Sequence, residues 1–348
     1  MGIGMKRMFR GLTAAGMLTV TPVLADDFKL AWPVDCVLGK DCFIQNYVDV
    51  DPGPGVEDYA CGSASYDKHT GTDIRVLSED AARAGVAVKA AAKGIVRGTR
   101  DGEPDHRIST EADIKALSGK ECGNGVVVVH EGYETQYCHM LKGSVAVNRG
   151  DIVEAGSVLG KVGFSGEAAF AHLHFEVRQG ATPLDPFLGL PQKGECRADL
   201  GKADAPAGGL WASDLVKAIP YLGTEIIETG FADAPLDNAI LEAGTSAYRR
   251  PGPESNALLF FMRVINARAG DTMRLLVRGP RGFAVESAVK PLDHSKATYV
   301  AFSGKKRILP VWPAGHYAGT AEVLRNGVVI ATAAAALELT GSGLPDSP

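Results

Sequence analysis

Five side chains in this sequence have types and spacings that could do chemistry together. His69-Thr-Gly-Thr-Asp73 sets an imidazole and a carboxylate four residues apart, on one face if the segment is extended. Gly71 between them lets the backbone bend or pass close to a ligand. His172-Leu-His174-Phe-Glu-Val177 alternates two imidazoles with apolar residues, so a strand here turns both rings to one side and Leu173, Phe175 and Val177 to the other. Two imidazoles side by side repel if protonated, and a shared metal or a water on it accounts for the pairing. Tyr137-Cys-His139-Met140 ends a third segment in a histidine. His69, Asp73 and His174 form a ligand set of neutral nitrogens and a hard oxygen that suits one Zn²⁺ with a fourth position open. His139 and His172 are then spare imidazoles, able to take a proton or steady an oxyanion.

Any one of these histidines alone is more often a hydrogen-bonded structural residue, and the ordered set carries the reading. His130, His106, His294 and His316 lie outside the pattern and are read as structural or solvated. A cupin site fits poorly because Glu176 follows His174 by only two residues, and Gly163-Phe-Ser165-Gly166 is not a serine hydrolase elbow. Cys138 beside His139 is read as a disulfide partner, pointing to the opposite face of its strand from Tyr133, Thr135, Tyr137 and His139.

Short segments rich in β-formers must position these groups. Val86–Ala91 and Ile95–Val96 bracket Lys93-Gly94, and Val126–His130 and Thr135–His139 bracket Gly132; both read as hairpins. A helix at Thr110–Leu117, started by Thr110 and Asp113 and stopped by Gly119, sits between strands as an insertion. After 198–210, which reads as a linker, a short helix is expected at Ser213–Ile219. Strands are expected at Leu258–Ile265, Met273–Val277, Ala297–Phe302, Tyr317–Leu324 and Val328–Leu339, the last two joined by Asn326-Gly327.

Composition sets the limits. The 348 residues are 45% hydrophobic and 22% charged, with 42 Gly and 7% aromatics, which excludes global disorder and favours a turn-rich β protein. A formal charge of −5 offers no basic face for nucleic acid. Residues 26–200 carry −9 and residues 201–348 carry +1. Lys6, Arg7 and Arg10 precede a short apolar run ending at Ala25, the pattern of a cleaved secretory signal, and no other stretch is apolar enough to span a membrane. All six Cys lie between Cys36 and Cys196. In an oxidising compartment they should pair, with Cys36–Cys42 local, Cys122–Cys138 tying the insertion to the His139 strand, and Cys61–Cys196 remaining.

The ordered set resembles the lysostaphin/LytM-type zinc metallopeptidases. The resemblance runs from about Tyr47 to Phe187 on H-x-G-x-D at 69–73, Y-x-H-M at 137–140 and H-L-H-F-E-V at 172–177. It is joined by Gly150–Gly156, Gly160-x-x-Gly163-x-Ser-Gly166 and Asp185-Pro186. The departures are Met140 where Leu is usual and an insertion of about 25 residues around Thr99–Gly123. The resemblance implies a mainly β, antiparallel-sheet peptidase domain with a groove and one Zn²⁺ per chain. It puts His69, Asp73 and His174 on the family's metal ligands and His139 and His172 on its catalytic histidines. It also implies an endopeptidase acting on peptidoglycan peptides, either stem peptides or cross-links.

The expected organisation is a signal at 1–25, a metallopeptidase domain at 26–197, a linker and short helix at 198–228, an Ig-like β-sandwich at 229–340 and a disordered tail at 341–348. Periplasmic or extracellular location follows from the signal, with no membrane span after its removal. A non-catalytic wall binder or amidase activator of the same fold, and an exported zinc peptidase with a protein substrate, are the alternatives.

Overall fold

The computed structural model describes residues 1–2, 28–192, 195–199 and 209–340. The expected signal segment from residue 3 onward, the centre of the linker at 200–208 and the tail at 341–348 lie outside the described residues.

The chain from Cys42 to Pro191 runs through β1 (Cys42–Asn46), β2 (Thr72–Val76), α1 (Glu79–Gly85), β3 (Ala87–Lys89), β4 (Gly94–Arg100) and α2 (Glu111–Ala116). It continues through β5 (Asn124–Val129), β6 (Glu134–Met140), β7 (Ile152–Val153), β8 (Val158–Lys161), β9 (His172–Gln179), β10 (Thr182–Asp185) and β11 (Leu190–Pro191). One antiparallel sheet, ordered β1-β2-β9-β6-β5-β4-β7, spans this half, and β3 and β8 form a small second sheet. Its core face holds Ile74, Val126, Val128, Tyr137, Leu173, Phe175 and Val177, all at most 1% exposed, as the alternation around His172 and His174 requires.

The hairpin expected across Gly132 forms as β5–β6. The one expected across Lys93-Gly94 does not. β3 pairs with β8, whereas β4 pairs with β5 and β7. Ala90 and Ala91 are fully buried, and their backbone groups are taken elsewhere: Ala90 N donates to Ser157 O, Ala91 N to the Tyr137 hydroxyl, and Ala91 O accepts from Ala31. With these backbone groups committed to three other segments, this alanine run leads out of one sheet into the next instead of turning back. The inserted helix forms at Glu111–Ala116 with a capping box between Thr110 and Asp113.

All three expected disulfides are present: Cys36–Cys42, Cys61–Cys196 and Cys122–Cys138. Cys61–Cys196 joins positions 135 residues apart, and cross-links over long loops constrain the unfolded chain most. Replacing both cysteines with serine should lower stability by about 2–5 kcal/mol, read as a fall in Tm, while the Cys36–Cys42 pair, six residues apart, should matter less.

Beyond α3 (Ser213–Ala218) come β12 (Glu225–Ala232), α4 (Asn238–Ala243), β13 (Ala257–Ala267), β14 (Thr272–Arg278), β15 (Ala284–Ala288), β16 (Lys296–Lys306), β17 (Gly315–Arg325) and β18 (Val328–Leu339). They build a three-stranded sheet, β12-β13-β16, and a four-stranded sheet, β15-β14-β17-β18. Phe260, Met262 and Val264 of the first meet Met273, Leu275, Tyr317 and Val323 of the second in a separate core, which is a sandwich arrangement. The β17–β18 turn has Asn326 and Gly327 at φ 52° and 78°, the left-handed pair that a tight hairpin needs.

This C-terminal module is docked on the first through buried charge. Arg75 of β2 gives Nη2 to both carboxylate oxygens of Glu242 in α4 at 2.9 Å, and Arg263 of β13 reaches Glu228 at 2.7 Å and the Leu77 carbonyl. Asn266 donates to the Gln45 carbonyl at 2.6 Å.

Candidate metal centre and groove

β2 and β9 are paired so that Asp73 lies opposite His174 and Arg75 opposite His172. Their side chains rise on the face of the sheet away from the core, where His69 enters from the loop before β2. Gly71 is needed here because a Cβ on it would lie 2.7 Å from both His174 Nε2 and the Phe175 carbonyl.

Three atoms converge. His69 Nε2 is 3.2 Å from Asp73 Oδ1 and 3.2 Å from His174 Nδ1, and His174 Nδ1 is 2.9 Å from Asp73 Oδ1. A tetrahedral zinc with bonds of about 2.0–2.1 Å separates its ligand atoms by roughly 3.3 Å, so the triangle already has the size of one ligand face. The donor atoms are held from behind. His69 Nδ1 donates to the Tyr47 carbonyl at 2.7 Å, Asn46 Nδ2 donates to Asp73 Oδ2 at 2.8 Å, and His174 Nε2 faces Glu176 Oε2 at 3.7 Å. Glu176 in turn accepts from the Thr70 hydroxyl at 2.8 Å. Such outer partners choose which ring nitrogen is left free for a metal, and the residues fit a bound zinc.

The electrostatics couple Asp73 to the imidazoles around it. Burial opposes the charge on Asp73, but His69 and His172 outweigh it and hold the carboxyl well below its usual range. Burial likewise opposes an imidazolium at His174, yet the hydrogen bonds with Asp73 and Glu176 prevail and push its pKa up to about 9.

His139 and His172 flank this triangle. His172 gives Nδ1 to the Phe170 carbonyl at 2.9 Å and brings Nε2 to 3.4 Å from Asp73 Oδ1. His139 gives Nδ1 to the Ser165 carbonyl at 2.8 Å, which leaves the Nε2 lone pair available. The two rings are 4.6 Å apart. Burial, reinforced by His172 and His174, keeps the pKa of His139 well below its ordinary value.

The strand parity expected for His139 is wrong, and the reason is a bulge. Gln136 and Cys138 lie opposite Glu176 and His174, so Cys138 already faces the groove while Tyr137 points into the core. The register between β5 and β6 then slips, with Val126 opposite Tyr137 but Asn124 opposite Met140, and His139 takes φ 62°. The extra residue turns His139 onto the groove face as well, where the Cys138–Cys122 disulfide forms wall instead of lying behind the sheet. His139 N donates to the Cys122 carbonyl at 2.8 Å, so the insertion that contains Cys122 also pins the bulge.

The resulting groove has a volume of about 430 Å³. Asp73, His139, His172 and His174 line it with Glu176 and Gln136, together with Ile108, Glu121 and Cys122 of the insertion and with Tyr66 and Phe170. His130 is apart from it, bonded to the Lys93 carbonyl at 2.7 Å and to Thr135 at 2.9 Å. His106, His294 and His316 lie exposed near Asp113, Asp293 and Glu338. The residues missed in the sequence are the partners, Asn46, Tyr47, Ser165 and Phe170. Three of them act through backbone carbonyls, which leave no mark in side-chain type, although Ser165 sits in the Gly160–Gly166 motif.

Comparison with known proteins bears on the same region. Residues 67–186 match the model of peptidase family M23. The DD-carboxypeptidase/endopeptidase Mpg of Neisseria meningitidis is 32% identical over 133 residues, 38% of this chain and 25% of that protein. The uncharacterized lipoprotein YgeR of Escherichia coli is 40% identical over 73 residues, 21% of this chain and 28% of its own length. The chain thus spans about a quarter of the curated relatives it matches. Among solved structures, the catalytic domain of the prophage-encoded M23 protein EnpA from Enterococcus faecalis aligns at 24% identity and TM-score 0.27, over 40% of this chain and 85% of that one. The lysostaphin catalytic domain from Staphylococcus simulans aligns at 19% identity and TM-score 0.26, over 46% of this chain and 89% of its own. The matched segment contains His69, Asp73, His139, His172 and His174, with only Asn46 and Tyr47 of their outer partners lying before it, so residues 67–186 are the part of this chain that is similar to peptidase family M23.

Proposed function

We propose that this protein is an exported, zinc-dependent endopeptidase that hydrolyses peptide bonds of peptidoglycan, with zinc held by His69, Asp73 and His174. The observation that carries the reading is the convergence of three donor atoms within 3.2 Å of one another beside two further imidazoles on the floor of an open groove. Three disulfides and the basic-then-apolar leader support export. A binder of the same fold would be free to lose ligands, and none is lost here.

A zinc ion at this site supplies Lewis acidity, polarising a carbonyl and making water a better nucleophile near neutral pH. The protein's own groups do the rest. His139 Nε2, unprotonated because Nδ1 carries the hydrogen to Ser165, accepts a proton from the attacking water and can return it to the leaving amine. His172 presents Nε2 from the other side, where a hydrogen bond steadies the oxygen that gains charge. Glu176, Asn46 and the Tyr47 carbonyl keep the ligand atoms aimed.

Zinc-loaded protein incubated with purified peptidoglycan should release fragments whose mass spectra show new amine ends within peptides. Intact peptides with stoichiometric binding would sink the proposal. Zinc entry should also displace a proton. With the His174 pKa at about 9 in the metal-free protein, the ring is protonated below that pH and must lose its proton to become a ligand. Apparent affinity should therefore fall as pH drops below 9, by up to about tenfold per unit. Calorimetry at pH 7.5 in buffers of different ionisation enthalpy should report about one proton released per zinc, and no release would mean that His174 is already neutral at that pH.

A further inference from the structure

We propose that Glu242, in the C-terminal module, is a positioning residue for His172 and acts through Arg75 and Phe170. The proposal rests on the peptidase reading for its kinetic arm only. Arg75 and Asp73 are neighbours on the same face of β2, two residues apart, and where Asp73 opens to the groove Arg75 is covered by α4. Arg75 is fully buried and Glu242 is 1% exposed. The guanidinium is held on two sides: Nη2 donates to both Glu242 oxygens at 2.9 Å, and Nη1 donates to Gln45 Oε1.

So fixed, the guanidinium carbon lies 4.9 Å from the centre of the Phe170 ring, within the range of a cation–π contact. Phe170 precedes β9 and is not itself in a strand, so no ladder sets its orientation. Its ring is 4.4 Å from the His172 ring at 30°, and its carbonyl accepts the His172 Nδ1 hydrogen at 2.9 Å. One residue therefore holds His172 at both the ring face and Nδ1, and that residue is held in turn by a cation whose counter-ion comes from the second module. Without the Glu242 charge, Arg75 loses the main reason to stay buried under Phe170. The ring and carbonyl then lose their fixed place, and His172 Nε2 loses its aim. In this way the sandwich is a working part of the site, although none of these contacts brings it to the reacting atoms.

The test uses full-length, zinc-loaded Glu242→Gln, which keeps the shape and removes the charge. In the wild type, the imidazole ¹⁵N spectrum should show His172 protonated at Nδ1 alone; in the variant it should show a mixture of tautomers. On peptidoglycan peptides kcat should fall about tenfold, with KM and zinc content within about twofold of wild type. Phe170→Leu, at a half-exposed position, should move the His172 spectrum in the same way without touching the buried ion pairs. The double variant should lose less than the product of the two single losses, because both act through one contact.

A His172 spectrum unchanged in folded Glu242→Gln would overturn the proposal, as would parallel losses in zinc content, KM and Tm, which mark a merely structural role. If Glu242→Gln does not fold, Phe170→Leu decides alone, and an unmoved His172 spectrum there overturns it. If wild-type protein cleaves no peptide, the peptidase reading fails while the spectra still decide the positioning of His172.

Discussion

Replacing His174 with alanine is expected to remove bound zinc and peptidase activity together. His174 contributes one of the three donor atoms of the ligand triangle and links it to Glu176 and Thr70. Its loss leaves one imidazole and one carboxylate, two ligands short of a tetrahedral shell. Zinc affinity should fall by more than the roughly 10–100-fold that loss of an outer partner costs. Losing the Lewis acid forfeits several kcal/mol of transition-state stabilisation, so activity should drop by at least about 10³-fold. Metal content by mass spectrometry and digestion of purified wall check the two halves. Stoichiometric zinc in His174→Ala would move the metal elsewhere and end the assignment. The fold should survive, because the core under β9 is built by Leu173, Phe175 and Val177 on the opposite face.

His139→Ala should separate metal from chemistry. His139 is not a member of the triangle, and its Nδ1 is spent on the Ser165 carbonyl, so zinc content should stay at wild type. Loss of a general base costs about 10²–10⁴-fold, and the fall should appear in kcat with KM little changed. The pH profile gives a second check. His139 works as a base only when neutral, and burial with the neighbouring His172 and His174 holds its pKa well below the ordinary imidazole value. The acid limb of kcat/KM should therefore lie below pH ~6.5 and activity should persist through neutrality. A His139→Ala protein that digests wall at the wild-type rate would refute the proposed chemistry.

The chemistry-bearing residues were legible because side-chain type and short spacing are local facts. Two His alternating with apolar residues needed only the strand period to be put on a common face, whereas His69 reaches Asp73 from the loop before β2. The disulfide pairs were legible for a similar reason, since two of the three are short or tied to a recognisable insertion. The helix at Glu111–Ala116 announced itself by its capping box. The β3–β4 hairpin misled because two apolar runs around Lys93-Gly94 look the same whether the chain turns back or passes between sheets. That choice was made by Ser157, Tyr137 and Ala31, which are far away in sequence and take up the alanine run's backbone groups.

His139 marks the boundary between the two kinds of knowledge. By sequence, this chain already held three candidate metal donors, two spare imidazoles, a cysteine-bearing first half and a second run of strands. Tertiary structure decided which way His139 points, because a single extra residue in β6 reverses the side-chain alternation that the sequence period assumes. It also decided which ring nitrogens are free, because the Tyr47, Ser165 and Phe170 carbonyls that settle this come from backbone brought near by folding. And it decided what the second module is set against: Arg75 and Glu242 are 167 residues apart in the chain, and only desolvation of both charges in one buried contact makes them a pair.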